Sequence, residues 1–114
     1  MKACYYCGVP AESIDHVPPR SARPTIIALN LEKKYPFVEV HACLECNSIL
    51  GARALWRLKE RKDFIKKALK KKYRKHLQTA VFTDAELSEY GYNLKTYLVS
   101  GEIMRRIVRQ RLAW

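Results

Sequence analysis

Four cysteines constrain this chain more than any other feature. They stand as two pairs, Cys4-x-x-Cys7 and Cys43-x-x-Cys46, separated by 35 intervening residues. A CxxC turn presents two sulfurs to one point in space. Two such turns make the four-thiolate tetrahedral shell that zinc favours, with Zn–S near ~2.3 Å. A redox role would place one pair at a helix start in a βαβ unit, and the chain has no such pattern. Four thiolates leave no open position on the ion, so a structural Zn2+ on Cys4, Cys7, Cys43 and Cys46 is expected to hold the fold and do no chemistry. His41 offers a substitute donor, but four cysteines suffice. The ion ties the N-terminal turn to the start of a helix at the second pair.

The rest of the chain is read around that staple. At 114 residues it fits one domain, short enough for a metal to matter to its stability. Gly8 and Pro10 punctuate the first cysteine turn. Four of the five prolines fall between residues 17 and 36, so that stretch reads as loop, with one short helix possible in TIIALNLEKKY. FVEVHAC alternates apolar and polar residues and reads as a short strand. A helix opens at the second cysteine pair and ends or kinks at Gly51. A long basic helix is expected from about Arg53 to Leu77, with Leu58, Ile65, Leu69 and Leu77 as its apolar stripe and Phe64 and Tyr73 nearby. Thr83 and Glu86 fit a capping box. Leu87, Leu94, Leu98, Ile107 and Leu112 suggest a final helical stretch over about 84–112, kinked or divided at Gly91 or at Ser100-Gly101. The expected fold is a mainly helical α+β domain. A zinc-bound unit over 1–52 precedes a helical extension over 53–114, and the two form one compact body.

Charge is distributed unevenly. Residues 1–52 carry five Lys/Arg and five Asp/Glu. Residues 53–75 carry twelve Lys/Arg against Glu60 and Asp63, a net charge of +10 in a chain whose total is +11. So many unbalanced charges exceed what solubility needs and repel one another along a helix. They point to a polyanion, nucleic acid ahead of a membrane surface. No apolar run is long enough to cross a membrane, and MKACYYCG lacks the apolar core of a signal peptide. These absences lead to the expectation of a cytoplasmic protein, where thiols stay reduced and paired cysteines read as metal ligands before disulfides.

Between the cysteine pairs lies SIDHVPPR. Asp15 and Asn47 offer the oxygen donors that a hard divalent cation takes. His16 is a side chain that accepts a proton near neutral pH. Taken singly, Asp15-His16 also reads as a turn before Pro18-Pro19, and Asn47 as an ordinary helix residue. Together, CxxC, DHVPP and CLECN resemble a zinc-stapled HNH endonuclease of the ββα-metal (His-Me finger) class, over roughly residues 4–50. The resemblance implies that Asp15 and Asn47 bind a catalytic divalent ion (Mg2+, Mn2+, Ni2+ or Zn2+) and that His16 is the general base. The family's middle Asn is missing where this chain reads YPFVEV, with Asn30 as a candidate replacement. The connection from His16 to Cys43 is also long for a compact ββα unit.

The expected function is therefore metal-dependent hydrolysis of phosphodiester bonds, in DNA more than in RNA. Arg20 is a candidate phosphate contact near the metal. Arg53, Arg57, Lys66, Lys67, Lys70, Lys71, Lys72 and Arg74 are candidate backbone contacts. His76, Trp56, Tyr73 and Trp114 read as helix-face or packing residues. Two other readings stay open. One is a zinc-stapled nucleic-acid-binding protein without cleavage. The other is an adaptor whose basic helix meets an acidic protein surface.

Overall fold

A computed structural model describes residues 2–78, 83–89 and 91–114; the side chains of Asp84, Leu87, Tyr92 and Asn93 lie outside the description. The protein is mainly helical α+β. Strand β1 (Ser13–Val17) pairs antiparallel with β2 (Val38–Ala42), placing Asp15 opposite Val40 and His16 opposite Glu39. Between the strands a 3-10 turn leads into helix α1 (Arg23–Ala28). Asn30, at φ 56°, ends α1 before the rest of the expected TIIALNLEKKY helix can form. Helix α2 (Leu44–Leu50) begins at the second cysteine pair, and Gly51, at φ 48°, closes it. Strands β1 and β2 and helix α2 make a ββα unit.

The basic helix is shorter than its charge pattern suggested. Helix α3 spans Leu58–Lys72, and Tyr73 separates it from the short α4 (Arg74–Leu77). Residues 53–57 are not helical. Arg57 is extended, and the Leu55 carbonyl accepts a hydrogen bond from Arg61 Nη1 at 2.9 Å, so the segment wraps over that side chain. Farther on, Thr83 Oγ1 accepts from the Glu86 N–H at 3.2 Å and donates to the Glu86 carboxylate at 3.1 Å. Thr83 thus caps the start of α5 (Asp84–Leu87), with Glu86 bonded to its hydroxyl instead of to its backbone N–H. Gly91 stands at the start of α6 (Tyr92–Ala113), which runs unbroken through Ser100-Gly101.

The core forms around the cysteines. Cys4, Tyr6, Cys7, Ala42, Cys43, Cys46 and Leu50 pack with Ile65 and Leu69 of α3. Two faces depart from the expected apolar stripes. On α3 the buried positions are Arg61, Ile65 and Leu69. On α6 they are Arg105, Val108 and Arg111, whereas Leu94 and Ile107 are exposed. The α6 stripe is corrected accordingly, and the contribution of Leu87 lies outside the described side chains. Trp56 stacks edge-on against Tyr35, with ring centres 5.1 Å apart. The outline is elongated rather than compact: 66 × 26 × 18 Å, with a radius of gyration of 18.8 Å. A compact chain of this length would have about 13 Å.

Candidate functional site

The first pair sits in a turn that Cys4 N–H closes onto the Val9 carbonyl (2.6 Å) and Gly8 N–H onto the Cys4 carbonyl (2.9 Å). Gly8 is at φ 80°, which a residue with a Cβ adopts only with strain. In the second pair Cys43 caps α2, its sulfur accepting from the Cys46 N–H at 3.4 Å. The result is a buried cluster in which all four sulfurs lie within 4.8 Å of one another, a group that can hold a metal ion. The Cys7 and Cys43 sulfurs are 3.8 Å apart. A tetrahedral ion with metal–sulfur bonds of ~2.3 Å requires about that edge, so the donor set fits zinc.

Cations and aromatics from the ends of α3 and α6 close over this cluster. Arg111 Nη2 lies 3.9 Å from both Cys43 and Cys46 sulfurs, and its Nη1 pairs with Glu45 at 2.6 Å. Glu45 also accepts from Lys72 and Tyr73, each at 2.5 Å. Burial raises the Glu45 pKa, but the bonds from Lys72, Tyr73 and Arg111 outweigh it and hold the carboxyl at about 2. Trp114 lies against Gly8 and donates its indole N–H to the Tyr5 carbonyl at 3.1 Å.

A separate cleft of about 330 Å3 opens beside the sheet, lined by Asp15, His16, Arg20, Ser21 and Asn47 among others. The three residues singled out for chemistry thus meet at one place, with Arg20 at its rim. Their states differ. Along β1 successive side chains alternate, so Asp15 and Val17 turn inward and His16 turns out. The Nδ1 of His16 lies 3.1 Å from a Glu39 carboxylate oxygen across the strand pair, a contact outside hydrogen-bond geometry. An Nδ1–H facing Glu39 leaves Nε2 as the nitrogen able to accept a proton. Asn47 donates to Ser13 Oγ at 3.1 Å and to the Ile14 carbonyl at 3.4 Å. Ser13 in turn donates to the Ala42 carbonyl at 2.8 Å, which fixes the amide's orientation. Its oxygen remains available. Asn47 therefore braces the strand carrying Asp15-His16. Asn30 is exposed at the end of α1 and supplies no such brace.

Asp15 is not the open carboxylate that a metal ligand suggests. It is 3 % exposed, and a fully buried Arg61 grips it in a fork, Nε to Oδ2 at 3.0 Å and Nη2 to Oδ1 at 2.9 Å. Tyr6 also donates its hydroxyl to Oδ2. Burial first, then the bond to Asp15, raises the Tyr6 pKa well above the usual phenol range, so Tyr6 stays a donor. Sequence reasoning passed over Tyr6, Glu39, Glu45, Arg61 and Arg111. Only Arg61 left a trace there: it falls on the apolar stripe Leu58–Arg61–Ile65–Leu69, where a charge needs a buried partner.

The basic residues divide. Lys67, Lys70, Lys71 and Arg74 line one groove with Leu77 and Gln78. Arg53 stacks over Phe64 at 4.7 Å and donates to the Ile49 carbonyl, and Arg57 lies over Tyr35 at 5.3 Å. Lys66 is half-buried, and Lys72 is held by Glu45 beside the cysteine cluster. Among the described residues no helix is long and apolar enough to cross a membrane. No protein-family model, curated protein or solved structure matches this chain.

Proposed function

We propose that this protein is a metal-dependent endonuclease of the HNH type that hydrolyses DNA phosphodiester bonds, with Zn2+ on its four cysteines and a cytoplasmic site of action. The observation that carries the reading is the single cleft shared by Asp15, His16, Arg20 and Asn47 on a ββα unit. His16, with Nδ1 against Glu39, accepts a proton from water through Nε2. Arg20 binds the phosphate. Oδ1 of Asp15 and the Asn47 amide oxygen are the donors for a divalent ion. Such an ion, when bound, stabilises the developing charge on the phosphate. The groove of Lys67, Lys70, Lys71 and Arg74 holds the strand backbone away from the cleft.

The test is nicking of supercoiled plasmid by the zinc-loaded protein with added Mg2+, Mn2+ or Ni2+. His16→Ala is the informative variant, because His16 belongs neither to the cysteine cluster nor to the buried Asp15–Arg61 pair. Its cleavage should fall at least ~100-fold, the usual worth of a positioned general base, with zinc content and DNA binding retained. Plasmid left intact by wild-type protein under every metal would overturn the enzyme reading. One observation favours that second reading, a nucleic-acid-binding module on the same scaffold: the Asp15 carboxylate is already bonded by Arg61 and Tyr6.

A further inference from the structure

Arg61 has no part in the chemistry above, yet it is fully buried and two of its three guanidinium nitrogens bond one carboxylate. Nε and Nη2 bond the two oxygens of Asp15, and Nη1 bonds the Leu55 carbonyl. A carboxylate has about four acceptor positions. Arg61 takes one on each oxygen, and Tyr6 takes the second on Oδ2. Among the described residues no donor takes the remaining position, on Oδ1. A hard cation there sits ~2.1–2.5 Å from the oxygen. The guanidinium nitrogen is 2.9 Å from the same oxygen, so the two positive groups would face each other across a single atom. In buried surroundings that repulsion is little screened.

The geometry points to Arg61 as an internal cation that competes with a hard divalent ion for Asp15 and limits that residue to a one-oxygen ligand. This rests on the proposal that Asp15 holds a divalent ion. Ions that tolerate few protein ligands and keep their waters, Mg2+ and Mn2+, are the class such a site takes. The ion is held weakly because the fork occupies Asp15.

Mn2+ binding to the full-length, zinc-loaded protein tests this, with free Mn2+ read by electron paramagnetic resonance. Arg61→Met should bind Mn2+ at least about 10-fold more tightly than wild type, since a charge this close shifts an ionic equilibrium by about 1–3 log units. Adding Asp15→Asn to that variant should abolish the gain. Arg61→Gln, which keeps amide donors for Asp15 but no charge, should show the same direction and serves if Arg61→Met does not fold. In wild type, the Arg61 Nε–Hε resonance should move as Mg2+ fills the site. Unchanged or weaker Mn2+ binding in a folded Arg61 variant would overturn the proposal. So would an Arg61 resonance that stays still while His16 signals shift. Tighter Mn2+ binding without plasmid cleavage supports the competition and sinks the nuclease reading. Cleavage with unchanged Mn2+ affinity sinks the competition alone.

Discussion

At the scale of single residues, one buried ion pair governs how the site can be probed. Asp15 and Arg61 are 3 % and 0 % exposed, so removing either strands the other's charge inside the protein. Loss of one partner of such a pair costs about 3–5 kcal/mol, a large fraction of the ~5–15 kcal/mol that holds a domain together. Asp15→Ala should therefore melt well below wild type. Paired with Arg61→Met, it should be less destabilising than the sum of the two single changes, a coupling that a double-mutant cycle measures. Strictly additive losses would mean that the fork does not form in solution. For the same reason, lost cleavage in an Asp15 variant is interpretable only beside its melting curve.

At the scale of elements, the cysteine turn and the end of α6 depend on each other. Trp114 covers Gly8 so closely that a Cβ there would lie 2.5 Å from the indole ring, at a backbone φ of 80°. Gly8→Ala should cost about 1–2 kcal/mol from the left-handed backbone, with further loss from displacing the ring. In a Trp56→Phe background, the emission of Trp114 should shift to the red. Unaltered emission would show that α6 does not dock there. Metal removal should act on the same contact. Structural zinc contributes on the order of 10 kcal/mol of apparent binding energy in small domains. Chelation, or Cys7→Ser or Cys43→Ser, should unfold the ββα unit and release α6, because Arg111 contacts the Cys43 and Cys46 sulfurs. Elemental analysis should find one zinc per chain. A zinc-free preparation with an unchanged melting curve would rule out the structural ion.

At the scale of the whole molecule, the charge excess acts as a field. With a net charge of +11 and four cations lining one groove, affinity for mixed-sequence duplex DNA should fall steeply with salt. Five phosphate contacts correspond to a log–log slope of about −4 to −5. Replacing Lys67, Lys70, Lys71 and Arg74 with Ala should flatten the slope by about three to four units with little change in sequence preference. Lys72→Ala should change the slope least, because that ammonium already pairs with Glu45. A slope near zero would favour the adaptor over any nucleic-acid reading.

What could be read before folding was what depends on neighbours in sequence. The CxxC spacing brings two sulfurs together in each turn because each turn is local, and the tetrahedral demand of one metal ion is what joined the two pairs across 36 residues. The Thr83 cap with its Glu86 partner, the end of α2 at Gly51 and the strand in FVEVHAC are local for the same reason. Arg61 and Asp15 stand 46 residues apart, and Arg111 and Cys43 stand 68 apart. No periodicity encodes such pairs. They exist because α3 and α6 pack over the cysteine core and carry their buried arginines to the anions already there. A charge pattern counts cations without saying which face they occupy. Thus twelve Lys/Arg over residues 53–75 read as one basic surface, and packing turned Arg61 inward, gave Lys72 to Glu45 and set Lys67, Lys70, Lys71 and Arg74 along a groove. Which cations meet solvent is decided by burial, and burial belongs to the tertiary fold.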